Sequence, residues 1–195
     1  MCIKERKQRE KEQFRNRILE TAIRIVHEDG FQALTIRKLA ERIEYSPRTI
    51  YLYFSDKEEL LKAIVEYGFA ASVQNLEAND YYSGLSAEQH LRAAVSYHLK
   101  TAVENVNYYN AVIQIIQGKG FEPGPNQLKF EQYLSESLEP YLKMDGDSAF
   151  TMFLLFASIR GIAVELINKS LPVNADELND KTELVFNFYK NLLET

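Results

Sequence analysis

The chain has 195 residues, 46% of them apolar, with one cysteine, eight glycines, five prolines and a net charge of −5. That length suits a small domain plus a larger one with a substantial core. The lone cysteine excludes a disulfide framework, and sparse glycine and proline with 3.6-type periodicity and no alternating runs point to an all-α protein.

The charge is unevenly divided. Residues 1–62 carry 14 Lys and Arg against 11 Asp and Glu, whereas residues 63–195 carry 9 against 17. The basic surface therefore belongs to the N-terminal part, and the acidic remainder would repel nucleic acid. The opening run MCIKERKQREKEQFR has no apolar signal core, which predicts a cytoplasmic protein, and Cys2 reads as an incidental thiol. Seven basic residues against three acidic ones in residues 1–17 fit either a solvated helix start or an arm meeting phosphates or the minor groove.

A first helix is predicted over about Glu12–His27, with Phe14, Ile18, Leu19, Ala22, Ile25 and Val26 on one stripe and Gly30 after its end. Thr35 then caps a second helix whose inner face is Ile36, Leu39, Ala40 and Ile43. The chain turns at Glu44 and Tyr45 and restarts at Ser46-Pro47, a capping hydroxyl followed by proline where its missing N–H costs nothing. Ile50 and Phe54, four apart, face inward, which leaves Arg48, Thr49, Tyr51 and Tyr53 to point elsewhere. This is the helix-turn-helix layout, whose second helix enters the major groove of DNA. Arg48 suits a bidentate contact with guanine and Thr49 a base edge or thymine methyl, while Ser46 and Pro47 sit where main-chain amides can meet phosphate.

The segment from ILETAIRIVHEDGFQALT through Lys57-x-x-Leu60 resembles the DNA-binding domain of the tetracycline-repressor (TetR) family of bacterial transcriptional regulators. Ala40, Ser46 and Ile50-Tyr51-x-Tyr53-Phe54 carry the likeness over about the first third of the chain. The family usually has glycine where this chain has Glu44, because the turn favours a left-handed residue. The resemblance implies that Tyr51 and Tyr53 place hydroxyls on the backbone or a base and that Lys57 contacts phosphate, with Thr35 and Arg37 acting likewise. It further implies a DNA-binding domain over residues 1–62, and a helical ligand-binding and dimerisation domain over 63–195.

A fourth helix is predicted from a Ser55–Glu58 capping box to Asn79, with a domain boundary at Ser83–Ser86. Ser86 and Gln89 form a second box before Leu91, Ala94, Val95, Leu99 and Val103, and a further helix holds Tyr109, Val112, Ile113 and Ile116. Gly118–Asn126 is the most loop-like stretch, followed by a helix over about Gln127–Met144 that Pro140 kinks or ends. Two last helices are predicted over Ser148–Lys169 and Asp176–Glu194.

The first of these is apolar almost all round. A membrane span is the competing reading, but Arg160 and Glu165 interrupt it. A helix apolar on every side needs cover on every side. The simplest cover is a two-fold homodimer in which both last helices meet their copies as a four-helix bundle, with Leu154, Ala157, Leu184 and Phe188 at the seam. The resemblance implies the same arrangement and a ligand pocket among the helices. Tyr97, Tyr109, Phe130, Tyr133 and Phe153 are its candidate lining, although such aromatics also fill cores. Arg160 either pairs with an acid across the dimer or anchors an acidic head group on a small, largely apolar effector.

An enzyme is the main rival class, and it finds little support. His27, His90 and His98 are not spaced as metal ligands, and the GKG at 118–120 lacks a preceding strand and the rest of a phosphate-binding motif, so no metal or cofactor is expected. The expectation is a ligand-responsive repressor that binds a palindromic double-stranded DNA operator as a dimer. The alternative is a DNA-binding adaptor that recognises a protein partner and no small molecule.

Overall fold

In the computed structural model, residues 3–78, 84–138, 148–168 and 175–193 are described, and every regular element among them is helical. The predicted break at Ser83, the predicted kink at Pro140 and Cys2 lie outside those residues. Helix α1 spans Ile3–Asp29 and starts nine residues before the expected point, so the basic run is helical and exposed. Good helix formers and an Arg6–Glu10 pair one turn apart favour this even without an apolar stripe. Ile18, Leu19, Ala22, Ile23, Ile25 and Val26 are the buried apolar side chains of its second half. Gly30, at φ 81°, ends the helix by donating to the Val26 carbonyl, and a 3-10 turn at Phe31–Ala33 leads on.

Helix α2 spans Ile36–Ile43 and α3 only Pro47–Ile50, with Tyr53 and Phe54 continuing to donate to the Ile50 carbonyl. Leu39, Ala40, Ile43, Ile50 and Phe54 are buried beside the α1 stripe's Ile18 and Ile25 in the core of this region. Salt bridges from Arg42 to Glu28 and Asp29, and from Lys38 to Asp29, tie α2 to the end of α1.

Helix α4 spans Lys57–Ala78, and its cap lies one residue later than expected. Asp56, not Ser55, accepts the Glu59 amide (2.8 Å), while the Glu59 carboxylate reaches back to the Ser55 amide (2.6 Å). Aspartate is as good a cap as serine, and Glu59 takes the amide of the residue before the cap rather than that of the cap itself.

Two compact units emerge. The first joins Met1–Gly68 with Asn107–Gly124, so it takes in nearly all of α6 (Val106–Ile116), and the expected 62/63 boundary falls inside α4. Within this unit the Tyr108 hydroxyl donates to the Ile64 carbonyl (2.7 Å). It passes so close to Gly68 that a Cβ there would lie 2.5 Å from the hydroxyl oxygen. His27 stacks on the Tyr108 ring (5.0 Å), and Asn107 donates to the His27 carbonyl (2.8 Å).

The second unit comprises Phe69–Val106 and Pro125–Thr195. Its centre is α5 (Ala87–Glu104), opened by the predicted Ser86–Gln89 capping box and packed against α7 (Pro125–Leu138), α8 (Ser148–Ile167) and α9 (Ala175–Leu193). Leu91, Val95, Leu99 and Ala102 of α5 are buried, as are Met152, Leu155, Ile159, Ala163 and Leu166 along one stripe of α8. Arg92 lies over the buried Phe186 ring (4.1 Å) and pairs with Glu183, while Lys190 pairs with Glu88 (2.9 Å), which fastens α9 to α5. The apolar stretch Phe150–Ile167 is long enough to cross a membrane, with mean hydropathy 1.8, and only 22% of it is buried within the chain.

Candidate nucleic-acid interface

The turn between α2 and α3 sets the direction of the candidate DNA-contacting side chains on α3. Glu44 takes the left-handed conformation (φ 62°, ψ 40°), and the Tyr45 amide reaches back to the Ala40 carbonyl (2.9 Å). This is the Schellman arrangement that ordinarily recruits glycine. The Ser46 oxygen then accepts the Thr49 amide (3.2 Å) and shares a hydrogen bond with the Thr49 hydroxyl (3.0 Å). Pro47 follows at the first helical position. Local chemistry alone thus aims α3.

Arg48 stands exposed on α3 with no hydrogen bond or ion pair among the described residues, free to approach a base edge. Lys57, exposed at the first turn of α4, lies over the Phe31 ring at 5.9 Å. Arg37 is tied to Glu41 (2.9 Å), an exposed one-turn pair worth only about 0.3–0.5 kcal/mol and so easily exchanged for phosphate. Thr35 uses its oxygen to accept the Lys38 amide (3.1 Å), which leaves its hydroxyl proton available. Tyr51 is 50% exposed. Tyr53 is half-buried, its ring 4.9 Å from Phe14, so packing fixes it while Tyr51 projects.

Two exposed residues escaped the sequence reading. Tyr45 packs edge-on against Phe14 (4.8 Å), and Leu52 is 68% exposed beside Tyr51. Only their position next to the motif could have marked them, because neither follows the apolar period. Two of the acids nearby are already engaged. Amide donation from Glu59 holds the Asp56 carboxyl below its ordinary range despite some desolvation, and donation from Ser55 does the same for Glu59.

The candidate ligand residues divide. Tyr109 is buried and lies in the first unit, whereas Tyr97, Phe130, Tyr133, Phe153 and Arg160 lie in the second. There, Phe130 lies 5.5 Å from Phe69 and 6.4 Å from Tyr97, whose hydroxyl bonds Ser72. The Tyr133 hydroxyl donates to Glu77, which Lys129 also holds. Phe153 stands apart, exposed and stacked on Phe150 (6.2 Å). Arg160 is half-buried and faces His98, a residue that no sequence pattern distinguished. Burial first, and the Arg160 charge second, lower the His98 pKa to about 4, so its imidazole is neutral at pH 7. Of the candidate seam residues, Leu154, Leu184 and Phe188 are exposed and Ala157 is half-buried.

Comparison with known proteins agrees with this geometry. Residues 18–64 match the model of the bacterial regulatory proteins of the tetR family. The chain is 24% identical over 130 residues to the fatty acid metabolism regulator protein of Bacillus subtilis (strain 168), covering 66% of this chain and 63% of that protein, under two thirds of its length. Among solved structures, the transcriptional regulator FadR of B. subtilis in complex with stearoyl-CoA superposes with a TM-score of 0.62 at 18% identity, over 87% of this chain and 94% of that one. A TetR transcriptional regulator from Rhodococcus sp. RHA1 gives 0.61 at 16%, over 93% and 95%. At such identities the structures share a fold.

Proposed function

We propose, for a chain that belongs to the tetR family of bacterial regulatory proteins, that it is a cytoplasmic repressor binding an inverted-repeat operator as a two-fold dimer. It is a DNA-binding transcriptional regulator. The observation that carries the finer reading is Arg48, exposed and without an ion pair among the described residues, on a helix aimed by the Glu44 turn and the Ser46 cap. Thr35, Arg37, Ser46 and Lys57 surround it with phosphate donors, and Thr49, Tyr51 and Tyr53 complete the surface. Exposed Leu154, Leu184 and Phe188 support the dimer, because an apolar face on two neighbouring helices calls for a copy of itself.

The effector proposed is small and largely apolar, with an acidic end held by Arg160. The aromatic row Phe69–Phe130–Tyr97 favours apolar contact, and a similarly folded regulator was captured with stearoyl-CoA. Binding in the second unit would release the operator by tilting α4, which runs on from the DNA-binding unit. A tenfold loss of DNA affinity needs about 1.4 kcal/mol of coupling.

The test is a gel-shift series on selected operators. Arg48→Ala should cost about 1–3 kcal/mol and relax preference at one base pair, whereas Lys57→Ala should weaken all sequences alike and flatten the salt dependence. Unchanged affinity and preference in Arg48→Ala would reject this orientation of α3. Long-chain acyl thioesters and fatty acids are the compounds to screen for release. A complete lack of response, with a protein captured in their place, would favour the adaptor reading.

A further inference from the structure

The Gly118-Lys119-Gly120 stretch lies outside the candidate DNA-contacting set and outside the second unit, yet its fold is closely constrained. Gly118 donates to the Ile115 carbonyl (3.0 Å) and accepts from the Phe121 amide (3.2 Å). A side chain at Gly118 would come within 2.9 Å of the Ile115 carbonyl oxygen, and Gly120 sits at φ +79°. Both glycines are therefore needed for the loop to double back. The folded loop forms one wall of a half-open pocket of about 230 Å³ in the first unit. Phe31, Leu61, Ile115 and Phe121 make it largely apolar, while two basic residues, Lys62 and Lys119, line it against a single acid, Glu58. Neither lysine is held in an ion pair among the described residues.

The geometry points to a second ligand site here, within the DNA-binding unit, for a small aromatic or apolar anion. The apolar walls take the body by displacing water from hydrocarbon, and the two lysines take the carboxylate or a similar head. The volume falls below the roughly 300–1,000 Å³ of drug-sized sites, which limits the occupant to one or two fused rings and excludes a long acyl chain. Phe31 also lies beneath the Lys57 ammonium, so an occupant would sit beside a side chain assigned to phosphate. The site goes beyond the effector pocket proposed for the second unit and does not depend on it.

The experiment titrates the full chain by calorimetry with 2-naphthoate and with its neutral analogue 2-naphthalenemethanol. The wild type should bind one naphthoate per chain, and Lys62→Gln/Lys119→Gln together should weaken that binding at least tenfold while leaving the neutral analogue unaffected. Both lysines lie outside the DNA-contacting set, so operator binding by the double variant serves as a check on folding. The site is overturned if naphthoate does not bind the wild type, or if its affinity is unchanged in the double variant. It is equally overturned if binding is lost on Arg160→Gln and retained in the lysine variant, which would place the ligand in the second unit.

Discussion

Glu44 occupies a left-handed backbone that costs an ordinary residue about 1–2 kcal/mol and glycine almost nothing. Glu44→Gly should therefore raise unfolding stability by about 1 kcal/mol, read as a higher urea midpoint at unchanged slope. A lower midpoint would mean that the glutamate makes compensating contacts. His98 gives a pH signature of its own. Its imidazole titrates near 4 in the folded chain and near 6.5 when unfolded, so the unfolded state binds the extra proton between those values. Stability is complete above pH 6.5 and falls as pH drops toward 4, by at most about 3 kcal/mol. The carboxylates held low by their partners, Asp29, Asp56, Glu59 and Glu77, add their loss only as pH falls through about 4 and below. His98→Gln should flatten the slope between 6.5 and 4 in thermal melts, and an unchanged slope would assign it to other groups.

At the scale of elements, the cap of α4 makes the sharpest prediction. Asp56→Ala should lower the denaturation midpoint and Ser55→Ala much less, the reverse of what a Ser55 cap would give; chemical denaturation of the two variants decides. The sequence placed this cap one residue early because serine and aspartate are both good caps and stand side by side. Where local chemistry was unambiguous, at Thr35, Ser46 and Ser86–Gln89, the reading and the structure coincide. The early start of α1 was hidden because helix propensity acts there without an apolar stripe. The Tyr108–Ile64 bond was hidden for a different reason: 44 residues separate its ends, and no periodicity links them. The approach of Arg160 to His98 is likewise a product of tertiary packing, while Phe153 looked like lining because composition cannot tell an inward aromatic from an outward one.

For the whole molecule, assembly is the testable matter. Phe188→Asp or Leu154→Asp would bury an unpaired charge at the proposed seam, and sedimentation should show a shift from dimer to monomer with loss of palindrome binding. A wild type that sediments as a monomer at micromolar concentration would remove the reason to expect a palindromic site. The return of Asn107–Gly124 to the first unit bears on how such a protein can be taken apart. The unit that holds the helix-turn-helix is discontinuous along the chain, so severing it after Gly68 would strip Tyr108 from Ile64 and Asn107 from His27. A hybrid that grafts this reading head onto a different sensor must carry α6 and its glycine loop along with the head. A crossover placed between the two stretches would yield a chain whose operator specificity is intact in sequence and unsupported in structure.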